Sequence, residues 1–450
     1  MGRLFGTDGV RGVANSEITV DLAFDIGRAV TSVLTRNNKR PVVVIGKDTR
    51  VSGDMLENAL TAGVLTVGGN VIKLGIIPTP AVAYLVNHYE ADAGVVISAS
   101  HNSYEYNGIK IFNGDGYKLD DRIEEEIEGI ILRRECVSNH IIGDALGKCL
   151  EGNDDAIDLY VRYLLTTVDL DLKGKKIVLD TANGASYRVA EKVFKALNAD
   201  ITIIANEPNG ININHNCGST HTEKLQEAVV KTGASIGLAF DGDADRLIVV
   251  DEKGLVVDGD KVICICAKLI KEQGNLKDNK VTVSVMSNLG LHKFMQEHGI
   301  SVDVTGVGDR YILESMIKTG CVLGGEQSGH IIFKNYSTTG DGIMSSLQLL
   351  KAIEGEEKTL NGLSEEIVIY PQVLVNAEVP NKKKKTFSDD AEVAAEIKRI
   401  EELMHGNGRV LIRPSGTEPL VRVMIEGKDI SEIHELAQGL SDLITEKFKD

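Results

Sequence analysis

Gly237-Leu-Ala-Phe-Asp-Gly-Asp-Ala-Asp-Arg-Leu-Ile-Val-Val250 consists of two short apolar runs on either side of a polar break. Both flanks read as strands, and the break between them as a turn. It carries a carboxylate at every second residue, Asp241, Asp243 and Asp245, with Arg246 directly after them. Ala93-Gly-Val-Val-Ile-Ser-Ala-Ser-His-Asn102 has the same form: an apolar strand that opens into a polar loop, here with the Ser100 hydroxyl beside His101. Strand ends of this kind are where open α/β sheets collect their chemistry.

Working outward, the pattern recurs three times. Each unit opens with a strand (41–46, 176–180, 280–285), followed by a helix that ends near Gly68, Ala199 and Gly299. A second strand (70–74, 200–204, 300–304), a second helix (81–88, 223–231, 311–318) and a third strand come next. The third strands run into Ser98-Ala-Ser-His-Asn102, Asp241-Gly-Asp-Ala-Asp245 and Gly325-Glu-Gln-Ser-Gly329. Alternating strands and helices imply right-handed crossovers and parallel sheet. The last eighty or so residues differ, with a strand at 373–379, helices at 388–404 and 429–448, and a strand pair, 409–413 and 420–425, around Pro414-Ser-Gly-Thr-Glu-Pro419. The expected fold is therefore α/β: three similar α/β domains with mixed, largely parallel sheets plus a C-terminal α+β domain, arranged around a central cleft. The boundaries are placed at 1–153, 154–256, 257–369 and 370–450.

Composition narrows the function classes. The net charge of −17 over 450 residues argues against nucleic acid, whose partners need a basic face. The one basic run, Lys382 to Lys385 beside Pro380, reads as a solvated loop. Aromatics make up 4% with no Trp, so the cores must be built from Val, Ile, Leu and Ala. Cys136, Cys149, Cys217, Cys264, Cys266 and Cys321 show no metal-type spacing, and Cys264 and Cys266 lie in an apolar segment as buried thiols. The first residues carry no apolar signal region and no apolar run approaches a membrane span. A cytoplasmic, reduced protein without membrane contact is expected.

The aspartate triplet suits a hard cation, because alternate residues of an extended segment point the same way. Glu252 falls at the twelfth position of an EF-hand loop, but Arg246 occupies the position that motif gives to Gly, and the flanks are strands. A serine hydrolase is disfavoured too: no G-x-S-x-G elbow exists, and neighbours such as Ser100 and His101 rarely pair side chain to side chain. A hydroxyl plus a metal-binding triplet fits phosphoryl transfer through a covalent phosphoserine better than acyl transfer. Arg413, Ser415, Gly416, Thr417 and Arg422 outline an anion site, with arginines for phosphate and a glycine that opens the backbone N–H groups. Glu326 and Ser328 in Gly324-Gly-Glu-Gln-Ser-Gly-His330 suit sugar hydroxyls or an amine. No Walker A sequence and no G-x-G-x-x-G supports a nucleotide.

These four loops, in this order, resemble the α-D-phosphohexomutase superfamily over essentially the whole chain. Phe5-Gly-Thr-Asp-Gly-Val-Arg-Gly12 and the Gly-Glu-Gln-Ser-Gly-His form of the third loop are similar to its phosphoglucosamine mutase branch. The resemblance implies an isomerase that interconverts glucosamine 6-phosphate and glucosamine 1-phosphate for UDP-N-acetylglucosamine synthesis. It implies Mg²⁺, a sugar 1,6-bisphosphate as intermediate and activator, a phosphorylated amino sugar as partner, and it suggests a homodimer. By the same resemblance Ser100 is the phosphoserine and a metal ligand with Asp241, Asp243 and Asp245. Lys110 and His101 lie with the phosphoserine, Arg11 is an N-terminal arginine of the site, and His330 a proton-transfer histidine. Arg246 binds substrate, Gly306, Asp309 and Arg310 match the loop associated with sugar orientation, Glu326 and Ser328 contact sugar hydroxyls, and the Arg413–Thr417 loop with Arg422 holds the non-reacting phosphate. One departure is visible: the family's Thr-Ala-Ser-His-Asn-Pro is here Ser98-Ala-Ser-His-Asn-Ser103, which removes a proline ring and its restraint on φ. The rivals are a phosphomannomutase or phosphoglucomutase of the same superfamily, against which Gln327 speaks, a non-catalytic sugar-phosphate-binding protein, and a metal-dependent phosphatase.

Overall fold

The computed structural model describes residues 4–6, 8–34, 40–133, 141–151, 155–384, 390–415 and 418–449. In each repeated unit the third strand lies beside the first and the first beside the second, all parallel. The trios are Ala93–Ile97, Val42–Lys47 and Asn70–Ile76, Ile236–Phe240, Lys176–Asp180 and Asp200–Ile204, and Leu323–Gly325, Lys280–Ser284 and Ser301–Thr305. In each unit the chain leaves the third strand through its polar loop and returns as an antiparallel strand: Tyr106–Asn113, Leu247–Asp251 and Ile331–Phe333. Val10–Val13 extends the first sheet beside Tyr106–Asn113. The sheets are thus mixed and largely parallel, as expected. The three loops occupy equivalent places, at the carboxyl ends of the third parallel strands.

Burial explains the sequence pattern. Ala93–Ile97, Ile236–Phe240 and Leu247–Asp251 are buried at every residue. Helices cover both faces of such sheets, which is why these strands read as continuous apolar runs instead of alternating ones. Helix ends follow local chemistry: Glu223–Thr232 stops at Gly233 in the left-handed conformation. The helix Gly259–Glu272 is capped by the Asp258 carboxylate, which accepts from the Lys261 N–H at 3.0 Å. Cys264 and Cys266 are buried in that helix, whereas Cys136 lies outside the described residues.

Two compact units emerge, 1–286 with 299–365, and 287–298 with 366–450. The helix Leu289–Glu297, first helix of the third repeat, belongs to the second unit. That unit is built on a three-stranded antiparallel sheet in the order Gln372–Glu378, Leu420–Glu426, Arg409–Pro414. Val393 and Ile400 of one helix and Ile433, Leu440 and Ile444 of another close a core with Val421, Val423 and Ile425. One expectation fails here. Lys384 belongs to no solvated charge run: it is buried, and its Nζ donates to the Ser415 carbonyl at 2.8 Å. Among the described residues no helix is long and apolar enough to cross a membrane.

Candidate active site

Ser100 is fully buried with φ +52°, a left-handed backbone that costs a non-glycine residue about 1–2 kcal/mol. Its hydroxyl donates to Asp241 Oδ2 at 2.6 Å, joining two loops 141 residues apart. Against expectation the neighbouring His101 also approaches, with Nδ1 3.3 Å from the Ser100 Oγ, because the curled backbone brings adjacent side chains together. Burial, then the charges of Arg246 and Arg11, push His101 down to about 4, so it is neutral near pH 7.

The aspartate triplet converges, but not on an extended segment. Ala244 N–H donates to the Asp241 carbonyl at 3.1 Å and Ala244 has φ +58°, so a tight turn gathers the carboxylates. One oxygen of each lies within 4.8 Å of the others. Gly242 permits this turn to meet the serine loop: a Cβ there would stand 2.5 Å from the Ser100 carbonyl oxygen. The EF-hand alternative is excluded, since Glu252 accepts from the Asn361 N–H instead.

Asp243 and Asp245 each use Oδ2 on Lys110, at 2.7 and 3.2 Å, while their Oδ1 atoms are buried with no hydrogen bond, that of Asp245 standing 3.8 Å from Arg246 Nε. An unpaired buried acceptor costs about 1–3 kcal/mol, so these oxygens fit a divalent cation. The charges are polarised accordingly. Burial first, then Asp245 and Asp243, hold the Asp241 carboxyl well above its ordinary range. Burial also acts to raise Asp245, but Lys110, His330 and Arg246 outweigh it and hold its carboxyl well below that range.

Around this core runs a closed ring of ionisable groups. Lys110 reaches Asp8 at 3.5 Å, Asp8 reaches Lys118 at 2.6 Å, and Lys118 binds Asp309. Asp309 lies 3.3 Å from His330 Nε2, and His330 Nδ1 lies 3.7 Å from Asp245, which returns to Lys110. Burial opposes the charge on Lys110 and Lys118, yet the surrounding carboxylates raise both. Arg11 pairs with Asp8 at the edge of the ring. Asp8 and Lys118 were not foreseen as site residues. Asp8 lies in the quoted Phe5–Gly12 stretch, but nothing in the sequence shows that Lys118 folds back against it.

Of the remaining expected residues, Arg246 is partly buried, its Nε lies 3.8 Å from Asp245 Oδ1, and its N–H donates to Asp241 Oδ1 at 3.3 Å. Glu326 Oε1 accepts from the Gly308 N–H at 3.4 Å, while Ser328 and Gly306 are exposed. Asp309 and Arg310 start the helix Asp309–Thr319 and do not lie in a loop. Arg310 is engaged by Asp121, Glu124 and Glu314 and stands outside the ring. Gln327 donates its amide to Asp258 Oδ2 at 3.1 Å, tying the third loop to a helix start.

The C-terminal loop belongs to the second unit. Arg413 and Arg422 face each other across its hairpin. Ser415 is buried, its Oγ accepting from the Glu418 N–H at 3.2 Å, and Gly416 and Thr417 lie outside the described residues.

Known proteins show the same organisation. The four models of phosphoglucomutase/phosphomannomutase match in order: α/β/α domain I over 2–137, domain II over 158–254, domain III over 258–370 and the C-terminal domain over 374–443. A phosphoglucosamine mutase of Clostridium novyi (strain NT) is 56% identical over 447 residues, 99% of either chain. A phosphoglucomutase/phosphomannomutase family protein from Burkholderia thailandensis has a similar structure, with TM-score 0.81 and 24% identity over 99% of this chain and 97% of that one. N-acetylphosphoglucosamine mutase of Aspergillus fumigatus, in complex with GlcNAc-6P and magnesium, superposes with TM-score 0.71 and 17% identity over 99% of this chain and 96% of the other. With four consecutive domain models matched and more than half of the residues shared with that clostridial enzyme, the chain belongs to the phosphoglucomutase/phosphomannomutase family.

Proposed function

We propose that this chain interconverts glucosamine 6-phosphate and glucosamine 1-phosphate through a phosphorylated Ser100 and a sugar 1,6-bisphosphate, supplying UDP-N-acetylglucosamine synthesis. The observation that carries this reading is the buried Ser100 hydroxyl, 2.6 Å from one carboxylate of a triplet whose other members each keep an oxygen without a hydrogen bond. The amino-sugar substrate rests on the clostridial relative's activity, and the Aspergillus complex is that of another amino-sugar phosphate.

Phospho-Ser100 gives its phosphoryl group to the free hydroxyl of the sugar phosphate: the serine O–P bond breaks, the freed Ser100 oxygen takes up a proton through its contact with Asp241, the sugar O–P bond forms, and the sugar hydroxyl loses its proton. His330, between Asp245 and Asp309, is the acceptor we assign to that proton. In the return half-reaction the Ser100 hydroxyl attacks the other phosphate, its proton passes back toward Asp241, which already accepts the hydrogen bond, the sugar O–P bond breaks, and the freed sugar oxygen takes the proton from His330. Buried Lys110 holds a fixed positive charge beside the transferring group. Mg²⁺ held by Asp241, Asp243, Asp245 and the serine phosphate would add positive charge against the oxygens of that group. Arg11 and Arg246 bind the reacting phosphate. Glu326 and Ser328 bind the sugar, and Arg413, Ser415 and Arg422 bind the phosphate that is not reacting. The bisphosphate must turn over between half-reactions, since one serine serves both ends of the sugar.

Side-by-side turnover of glucosamine, glucose and mannose 6-phosphates tests the substrate. The expected result is kcat/KM highest for the amino sugar; a preference for glucose or mannose would move the chain to a sister branch.

A further inference from the structure

We infer that the buried pair Asp48 and Arg50 is the positioning device of the nucleophile, gripping the Ser100 peptide at both ends. This rests on Ser100 being the nucleophile. Both residues follow the strand Val42–Lys47, the first parallel strand of its sheet, and both are almost completely buried. Arg50 Nε donates to Asp48 Oδ2 at 2.8 Å. The same Oδ2 accepts the Ser98 hydroxyl at 2.6 Å, and the Ser98 Oγ in turn accepts the Ser100 N–H at 3.0 Å. On the other side, Arg50 Nη2 donates to the carbonyls of Ser100 and Asn102, at 3.0 and 2.9 Å, and Nη1 donates to the Ser103 carbonyl. Asn214, from the second domain, doubles two of these contacts, donating to the Ser100 and Asn102 carbonyls at 2.9 and 3.0 Å.

One ion pair therefore fixes the N–H of Ser100 through a hydroxyl and its C=O directly. What lies between is a left-handed serine backbone that no glycine makes easy. Only a planar guanidinium, with several donors in a rigid fork, can serve three loop carbonyls and a carboxylate together; an ammonium is a point charge. The loop also lacks a stiffening proline at Ser103, so its shape depends on these contacts. Neither Asp48 nor Arg50 hydrogen-bonds Asp241, Asp243 or Asp245, although the Asp243 charge reaches Asp48, so the pair's direct contacts are with the serine loop.

The test is single-turnover labelling of Ser100 by glucose 1,6-bisphosphate, alongside steady-state kinetics, for wild type, Ser98→Ala, Ser98→Thr, Asn214→Ala and Arg50→Lys. A misplaced nucleophile slows transfer without weakening substrate binding, so Ser98→Ala and Arg50→Lys should lose on the order of ten- to a hundredfold in labelling rate and kcat, with KM little changed. Asn214→Ala, which leaves the pair intact, should lose less. Ser98→Thr, which returns the hydroxyl, should recover the rate, and Ser103→Pro should restore part of the loss in Arg50→Lys by stiffening the loop. If wild type labels at Ser100 and folded Ser98→Ala and Arg50→Lys label as fast as wild type, the clamp is overturned and the nucleophile stands. If wild type takes no label at Ser100, the nucleophile assignment falls and the clamp with it.

Discussion

Arg413 and Arg422 stand directly opposite each other in the antiparallel register of the C-terminal hairpin. Burial, then the charge of Arg422, pull Arg413 below its ordinary pKa, while Arg422 reaches Glu418 at 3.5 Å. Facing like charges are unfavourable in a sheet, and a phosphate would turn the repulsion into paired contacts. Arg413→Ala is expected to lower kcat/KM roughly ten- to a hundredfold, on the order of 1.5–3 kcal/mol, mainly through KM and for both the 1-phosphate and the 6-phosphate. Steady-state kinetics in both directions check this. An effect confined to one direction would call for two separate phosphate pockets.

Asp241→Asn, Asp243→Asn and Asp245→Asn should each weaken Mg²⁺ binding and lower kcat, since carboxylate charge holds the cation. Because the oxygens form one cluster, the double and triple variants should lose little more than the worst single one. Isothermal titration with Mg²⁺ and activity after EDTA treatment measure both effects. Full activity in EDTA would remove the metal from the account.

Asp341 shapes acid stability in the opposite sense to most carboxylates. It is buried, caps the helix Gly342–Ala352 and accepts the Tyr160 hydroxyl. Burial pushes its carboxyl up to about 6 from 3.8. Folding therefore takes up a proton between about pH 4 and 6, and the stability this group contributes is present below about pH 4 and lost as pH rises through about 6. The shift corresponds to about 3 kcal/mol. Thermal melts of wild type and Asp341→Asn should show the wild type losing ground to the variant as pH rises from 4 to 7 and no further change above that. A difference independent of pH would contradict the raised pKa.

The repeats were legible because buried parallel strands write themselves as apolar runs, and each third strand announces its end with an abrupt polar loop. Ser100 and the aspartates were visible for that reason. The turn at Ala244 was not, because a left-handed alanine has no compositional signature. Asp48 and Arg50 carried a usable signal: they too follow an apolar strand, yet Asp-Thr-Arg reads as an ordinary turn until Ser98 is found against it. Lys118 and Lys384 were hidden more deeply. A lysine, single like Lys118 or within a run like Lys384, gives no sign of burial, and only the fold brings Asp8 to one and the Ser415 carbonyl to the other.

The central claim is that phosphoryl groups pass through Ser100, and purified Ser100→Ala assayed with glucosamine 6-phosphate and a trace of bisphosphate tests it most directly. The substitution removes one hydroxyl from a buried loop whose backbone contacts remain, so the variant should fold like wild type. Uncatalysed phosphoryl exchange between sugar oxygens has too high a barrier to contribute. Phosphorus NMR should show wild type building glucosamine 1-phosphate to equilibrium and Ser100→Ala building none. Substantial 1-phosphate from the variant would contradict the account.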